Sequence, residues 1–201
     1  MFVRKGQWPI LIFNLCLLVF FSIYFLTRAN YEFVLYVGVI AFFLLVFVIA
    51  NDKVFSPNFV LWGLSLWSLL HLLGGSVRIN GAVLYNFMII RLSGSYPIFR
   101  YDQFVHTVGF GVATLTIFYV LKPLLKTGTS KWWSLSIVVV SAGLGVGAFN
   151  EIVEFAATVL VPETNVGGYA NTALDLVFNL VGAIIAMLIV RLKEKRIFQV
   201  T

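Results

Sequence analysis

The chain has 201 residues, of which 61% are hydrophobic and only 11% are charged. Soluble domains are typically about 45–50% apolar and about 25% charged, so this composition excludes an ordinary soluble domain and predicts a polytopic membrane protein. The formal net charge is +6. Because the basic residues flank apolar runs, we interpret them as signals of membrane topology, with the lipid bilayer and not nucleic acid as the partner.

Six segments have about the 20 mostly apolar residues that a helix needs to cross a bilayer. They predict an all-α bundle of six transmembrane helices in a single domain over 1–201. The N-terminal "MFVRKGQWP" precedes an apolar run that is too long for a signal peptide, so we expect an uncleaved first span. The predicted spans are 9–27, 32–50, 58–75, 102–122, 134–160 and 173–191.

The distribution of basic residues predicts the orientation. With six spans both termini share one side, and all the lysines fall on that side. An excess of basic residues marks the cytoplasmic side, so we expect N-in and C-in. The basic residues on the terminal side are Arg4, Lys5, Lys53, Lys122, Lys126, Lys131, Arg191, Lys193, Lys195 and Arg196.

The segment 76–101 is the one sizeable loop, and it faces outward in this topology. Its "NG" at 80–81 indicates a turn. The apolar run 82–90 is too short to span, which predicts an interfacial or re-entrant element that caps what lies beneath. Arg78, Arg91 and Arg100 either bind an anionic head group or serve as ordinary interfacial anchors.

Ionisable residues within or at the ends of the spans are the main functional signal. In the predicted topology they all map to the outer half of the membrane, and an intramembrane ionisable residue indicates a functional site by default. Three pairs have i,i+3 or i,i+4 spacing, so each pair shares a helix face. The residues are His71, Asp102, His106, Glu151, Glu154 and Asp175, with Asn179 following on the last helix.

Carboxylates and imidazoles together are ligands for Zn, Mn, Fe or Mg, so these residues predict a divalent metal site. The candidate ligands are His71, Asp102, His106, Glu151, Glu154 and Asp175. A bound ion could activate water. We assign the candidate catalytic roles to His106, Glu151, Glu154 and Asp175, and substrate binding to Asn179 and the three loop arginines.

Structural roles compete with the metal site at three positions. His71 could bond a backbone carbonyl, and Asp102 and Asp175 could cap the fourth and sixth helices. His106, Glu151 and Glu154 lie too deep to be caps, although they could form a purely structural polar network. Small residues at Gly143, Gly147 and Gly182 favour close packing of helices four, five and six.

Four ordered motifs carry a family resemblance: "HLLGG" at 71–75, "YDQFVH" at 101–106, "NEIVEF" at 150–155 and "DLVFNLVG" at 175–182. They resemble the YjdF-like family of prokaryotic inner-membrane proteins. The order Asp-x-x-x-His, Glu, Asp-x-x-x-Asn-x-x-Gly is more distantly similar to VanZ-like proteins, which are linked to glycopeptide-antibiotic tolerance. The segment 163–172 lacks the arginine expected before the aspartate. The resemblances imply a multi-pass protein of the prokaryotic inner membrane.

Three functions fit these observations. The first is a metal-dependent enzyme, a hydrolase or group-transfer enzyme that acts on a lipid or lipid-linked envelope substrate. The second is a non-enzymatic scaffold or sensor held together by the polar residues. The third is a transporter or proton relay, against which stand the lack of a visible inverted repeat and of polar groups leading inward. The sequence does not decide whether the chain is an enzyme, and it indicates no oligomeric state.

Overall fold

A computed structural model describes residues 3–51, 56–91, 98–125 and 131–194. In these residues six helices are long and apolar enough to cross a membrane, which confirms the predicted all-α membrane bundle. The helices are α1 (Trp8–Thr27), α2 (Tyr31–Ala50), α3 (Asn58–Ser76), α4 (Tyr101–Leu121), α5 (Trp132–Leu160) and α6 (Tyr169–Lys193). Short 3-10 turns at Lys5–Gln7 and Lys122–Leu124 extend α1 and α4.

The predicted loop contains two small antiparallel ribbons. Strands β1 (Arg78–Ile79) and β2 (Ala82–Val83) form a hairpin, and β3 (Met88–Ile90) pairs with β4 (Phe99–Arg100). Asn80 and Gly81 both have positive φ, 52° and 83°, as a tight hairpin turn requires. The apolar run 82–90 therefore folds as β2, a 3-10 turn at Leu84–Asn86 and β3. Residues 92–97 of the loop lie outside the described residues.

The bundle has two packing groups that meet at α3 and α4. Helices α1, α2 and α3 contact one another, and α4 contacts α3, α5 and α6, with the most extensive contact between α4 and α6. Two buried apolar clusters correspond to these groups. One is centred on Phe25, Phe33 and Leu72, and the other on Phe118 and Val139.

Glycines allow α4, α5 and α6 to approach closely, as their spacing predicts. A Cβ on Gly182 of α6 would overlap the backbone carbonyl of Thr107 in α4. A Cβ on Gly143 of α5 would overlap the hydroxyl of Thr114 in α4, and one on Gly147 would collide with Asn179 of α6. The two backbones of α4 and α6 are therefore in direct contact at one level of the membrane.

The six helices place the two ends of the described chain, Val3 and Glu194, on the same side, opposite the described parts of the 76–101 loop. The N-in orientation depends on the distribution of basic residues and stays a prediction. Arg4, Lys5, Lys122, Lys131, Arg191 and Lys193 lie on the terminal side of the structure, whereas Lys53, Lys126, Lys195 and Arg196 lie outside the described residues. We call the opposite side the loop side.

Candidate functional site

The first turns of α4 place two site residues on one face. Arg100 is the N-cap residue of this helix, and its backbone N–H donates to the Gln103 side chain at 3.0 Å. Asp102 therefore lies inside the first turn, and the predicted alternative that Asp102 caps α4 is wrong. His106 follows one turn later, with its Nε2 atom 3.6 Å from Asp102 Oδ1.

Helix α6 presents a continuous polar face toward α4. The helix begins at Tyr169, after Gly168, so Asp175 lies in its second turn and is fully buried. The predicted alternative that Asp175 caps α6 is therefore also wrong. Asn171, Asp175 and Asn179 recur at i,i+4 spacing and so share one helix face.

Two amide side chains connect the carboxylates of α4 and α6. Gln103 Nε2 donates to Asp175 Oδ1 at 2.8 Å, and Asn171 Nδ2 donates to Asp175 Oδ2 at 2.6 Å. The same Asn171 nitrogen donates to Asp102 Oδ2 at 2.9 Å. The carboxylates of Asp102 and Asp175 are therefore fixed by neutral donors, which reduces the cost of burying them.

His106 stands at the centre of the acidic side chains. Its Nδ1 atom lies 3.0 Å from Asn179 Oδ1. If Nδ1–H donates to this oxygen, the lone pair is on Nε2, which faces Asp102 and lies 3.9 Å from Glu154 Oε1. Ligand histidines are commonly oriented by such a bond from the other ring nitrogen. The imidazole side chain is 7% exposed.

Helix α5 contributes two carboxylates with different surroundings. Glu154 Oε1 accepts a hydrogen bond from Asn150 Nδ2 at 2.7 Å. Both oxygens of Glu151 are buried and lack a hydrogen bond of normal geometry to the described residues, although the side chains of Asn150 and Thr172 lie near enough to interact weakly with this carboxylate. The Glu151 side chain is 10% exposed, and one oxygen lies 3.9 Å from His106 Nδ1. A buried carboxylate without a well-formed hydrogen bond is costly, so a cation beside it would relieve a real penalty.

These side chains form two overlapping sets of potential metal ligands. In each set the ligand atoms lie within 4.8 Å of one another, and His106 belongs to both. Ligands around a tetrahedral zinc ion are roughly 3.3 Å apart, as follows from metal–ligand bonds of about 2.0–2.1 Å. The side chains of either set would therefore need to move inward only modestly to coordinate a zinc ion. The sets are Asp102, His106 and Asp175, and His106, Glu151 and Glu154.

The hydrogen bonding of the carboxylates distinguishes the two sets. Gln103 and Asn171 already satisfy the aspartates of the first set. Glu151, in the second set, has no hydrogen bond of comparable geometry among the described residues. The second set therefore fits a divalent ion better. We call His106 and the seven residues around it the polar cluster: Asp102, Gln103, His106, Glu151, Glu154, Asn171, Asp175 and Asn179.

A narrow cleft with about 50 Å³ of free internal space leads to the polar cluster. Asp102, His106 and Glu154 line its inner end. Of the described residues that line the cleft, Arg100 is the one with a permanent positive charge. Glu32, at the start of α2, also lines the cleft. The cleft therefore reaches His106 from the loop side.

His71 lies on the cleft wall, away from the two ligand sets. Its Nδ1 atom is hydrogen-bonded to the hydroxyl of Tyr85 at 2.5 Å, which replaces the predicted alternative of a bond to a carbonyl. The rings of Phe33, Tyr36 and Trp67 pack around the imidazole. Burial raises the pKa of Tyr85 well above its usual range, so its hydroxyl stays protonated and can donate to His71.

The three loop arginines have different positions. Arg100 lines the cleft. Arg78 is exposed and donates to the backbone carbonyl of Gly81 at 3.1 Å, and Arg91 is exposed. The structure thus brings Arg100 to the site, whereas Arg78 and Arg91 lie outside the cleft.

Several site residues are absent from the sequence-based set. Gln103 and Asn171 were missed because a neutral amide near a helix start is a weak signal, although both stand at i,i+4 spacing from other polar residues. Glu32 is only 4% exposed, and Asn165 donates to it from both its backbone and side-chain nitrogens, at 2.9 and 3.1 Å. Glu32 was missed because a single carboxylate in the first turn of a helix is common and is usually explained by its favourable interaction with the helix dipole.

Comparison with known proteins gives one family. The family model described as "Predicted membrane protein (DUF2238)" matches residues 9–196. No curated protein and no solved structure matches the chain.

Proposed function

The chain belongs to the predicted membrane protein family DUF2238, and we propose that it is a metal-dependent membrane enzyme that acts on a lipid or lipid-linked substrate. The observation that carries the proposal is Glu151, a buried carboxylate that has only weak polar contacts with Asn150 and Thr172 among the described residues and lies in a three-ligand set with His106 and Glu154. Such a carboxylate is best stabilised by a cation.

His106, Glu151 and Glu154 would hold the ion. One imidazole with two carboxylates suits Zn, Mn or Fe, and Mg where carboxylate and water ligands dominate. When bound, the ion would supply Lewis acidity and an activated water for hydrolysis or group transfer. Asn179 would orient His106 through Nδ1, as partners of ligand histidines do.

The aspartates would have different roles. Asp102 lines the cleft and lies 3.6 Å from His106, so it is the candidate general base for a molecule entering from the loop side. Asp175 is fully buried and held by two amides, so its role is to position Gln103 and Asn171. Arg100 would bind an anionic group of the substrate at the cleft.

The substrate class follows from where the cleft lies. The polar cluster is set in membrane-spanning helices, and the cleft opens at the loop side, where lipid head groups lie. With N-in and C-in orientation, this is the outer leaflet. The motif resemblance to YjdF-like proteins supports a prokaryotic inner membrane as the location.

The first experiment measures metal content by mass spectrometry of the detergent-purified chain. Wild type is expected to carry about one equivalent of a transition metal. Glu151→Gln and Glu154→Gln should lose it, because each variant removes a ligand. Glu163→Gln is the matched control, because Glu163 is exposed in the loop between α5 and α6 and should retain wild-type metal content. Mg requires a separate binding titration, because it can dissociate during purification.

Metal-free wild type that also binds no Zn, Mn, Fe or Mg in titration would contradict the proposal. It would favour the second candidate, a structural scaffold, for which there is a specific observation. Gln103 and Asn171 already join α4 to α6 through the two aspartates without any ion. A relay is less favoured, because beyond His106 the buried residues of α4 within the bundle are uncharged as far as Tyr119.

A further inference from the structure

A second pocket, which we call the outer pocket, lies beside the cleft on the loop side of the bundle. It is lined by the start of α2, by Arg78 of β1 and by the loop between α5 and α6, and it has about 450 Å³ of free internal space. The cleft has about 50 Å³. Pockets that hold small-molecule ligands are typically about 300–1,000 Å³. The outer pocket therefore has room for a lipid head group, whereas the cleft is too narrow for one while the loop is in place.

The outer pocket and the cleft meet at one pair of residues. Glu32 and Asn165 are the residues that line both of them. The carboxylate of Glu32 accepts hydrogen bonds from the backbone and side-chain nitrogens of Asn165, at 2.9 and 3.1 Å. Because these bonds lie at the shared boundary, breaking them would join the outer pocket to the cleft.

The loop 161–168 has few other attachments to the bundle. Among the described residues, the two bonds from Asn165 to Glu32 are the only hydrogen bonds that 162–167 make with the rest of the chain. Asn165 is exposed, although Glu32 is buried. Segments that are held by few, solvent-exposed hydrogen bonds open locally at a low cost in free energy, and ligand-binding loops are commonly of this kind.

The loop packs against the polar cluster on the side of the cleft. Val166 and Gly167 line the cleft. A Cβ on Gly167 would overlap the side chain of Asn171, which donates to both Asp102 and Asp175. Movement of the loop away from the bundle would therefore uncover the cluster at Asn171.

Glu32 has a second polar neighbour within its own helix. The hydroxyl of Tyr36, one turn farther along α2, lies near enough to interact with the carboxylate. A buried carboxylate that loses every donor is strongly destabilising. Because Tyr36 stays beside it, Glu32 can release Asn165 without being left entirely unpaired.

We infer that the loop 161–168 is a gate, that Glu32 holds it closed, and that the outer pocket is the entry site from which a lipid head group reaches the polar cluster. This inference deepens the proposed function by naming how its site is entered and controlled, and it rests on that function for the identity of the entering molecule. Glu32 is a positioning residue, because it contacts the loop and belongs to neither ligand set.

The test measures how fast a thiol inside the cleft reacts with a positively charged, membrane-impermeant methanethiosulfonate reagent. His71→Cys places the thiol on the cleft wall, in a Cys16→Ser background that removes the one native cysteine. The full chain is reconstituted in nanodiscs. Asn86→Cys in the same background is the reference, because Asn86 lines the cleft but is exposed. With the native loop, the thiol at position 71 should react much more slowly than the thiol at position 86.

Glu32→Leu should accelerate the reaction at position 71 by about tenfold or more, because two hydrogen bonds to a charged acceptor are lost. Asn165→Ala removes one of these bonds from the exposed loop and should give a smaller acceleration. Glu32→Gln retains an acceptor oxygen and should restore most of the protection. Glu163→Gln is the matched control, because Glu163 is exposed in the same loop, and its rate should equal that of wild type.

Equal rates at position 71 with Glu32 and with Glu32→Leu, or an equal acceleration in Glu163→Gln, would overturn Glu32 as the residue that holds the gate. A thiol at position 71 that reacts as fast as the reference in the native loop would overturn the closed state. Thr164→Trp fills part of the outer pocket and should cancel the acceleration in Glu32→Leu. A rate that stays high would overturn the outer pocket as the entry site.

Metal content separates this inference from the proposed function. Glu32→Leu should retain its metal, whereas Glu154→Gln should lose its metal and keep the dependence of thiol labelling on Glu32. A wild-type chain without metal but with labelling that depends on Glu32 would reject the enzyme and retain the gate. A metal-containing chain in which labelling does not depend on Glu32 would reject the gate alone.

Discussion

His106 is the residue on which three helices converge. It belongs to α4, contacts Asn179 of α6, and lies within 3.9 Å of both carboxylates of α5. The amides around it are as important as the acids, because a buried carboxylate is tolerable only when donors or a cation satisfy it. The chemistry of the cluster therefore depends on residues such as Gln103 that are themselves neutral.

We predict strong energetic coupling between Gln103 and Asp175. Gln103 is fully buried, and its bond to Asp175 is 2.8 Å long. In a double-mutant cycle of Gln103→Leu and Asp175→Leu, in which each change removes one partner of the bond, thermal or denaturant unfolding in detergent should give a coupling free energy of about 0.6–1.7 kcal/mol.

The control cycle combines Gln103→Leu with Ser65→Ala. Ser65 bonds Asn14 between α1 and α3, so the two changes should add within about 0.5 kcal/mol. Equal coupling in both cycles would mean that the Gln103–Asp175 bond does not link α4 to α6 in solution.

At the scale of elements, the contact between α4 and α6 positions the site. This contact depends on Gly182, where the two backbones touch. The hydrogen bonds His106–Asn179 and Gln103–Asp175 connect the same two helices. The spacing of these helices therefore determines whether the polar groups reach one another.

Gly182→Ala should destabilise the protein by about 1–3 kcal/mol, because the added methyl group forces two backbones apart. Unfolding of the detergent-purified variant measures this. Gly145→Ala is the matched control, since its methyl group meets open space. It should be neutral or slightly stabilising through helix propensity, by up to about 1 kcal/mol. Equal stability of the two variants would contradict close backbone contact at Gly182.

The six helices could be predicted from the sequence. The exact ends of the helices and the pairs that pack together were predicted less accurately. Hydropathy located all six spans, because about 20 apolar residues in a row have few alternatives to a membrane helix. The start of the sixth span was placed at 173, four residues after the observed start at Tyr169, because 169–172 are mostly polar or small. This error made Asp175 look like a cap. Helix spacing showed which polar residues share a face, whereas the pairing of α4 with α6 depends on tertiary packing.

At the scale of the whole molecule, the polar cluster belongs to α4, α5 and α6, and α2 and α3 contribute Glu32, Tyr36 and His71 to the lining of the cleft. Glu32 of α2 joins the two parts by accepting both hydrogen bonds from Asn165, in the loop between α5 and α6. The sequence did not reveal this link, because the two residues are 133 positions apart. Asn165, Val166 and Gly167 border the cleft, so Glu32 holds the loop beside the cleft.

Glu32→Leu should free the loop 161–168. Loss of hydrogen bonds to a charged acceptor corresponds to about 1.5–3 kcal/mol, so amide hydrogen exchange in this loop should accelerate about tenfold or more, with the Asn165 amide most affected. Glu163→Gln serves as control, because Glu163 is exposed in the same loop. Unchanged exchange in Glu32→Leu would show that Glu32 does not hold the loop.

The hydrogen bond between Asn171 and Asp102 also has a consequence for insertion of the protein into the membrane during synthesis. These residues are 69 positions apart, so α4 enters the membrane before the ribosome has synthesised the amide that satisfies its carboxylate. A chain that stops after α5 presents Asp102, His106 and Glu151 to lipid without α6. Arrival of the last helix brings Asn171 to Asp102, so this carboxylate gains its amide donor only after α6 has entered the membrane.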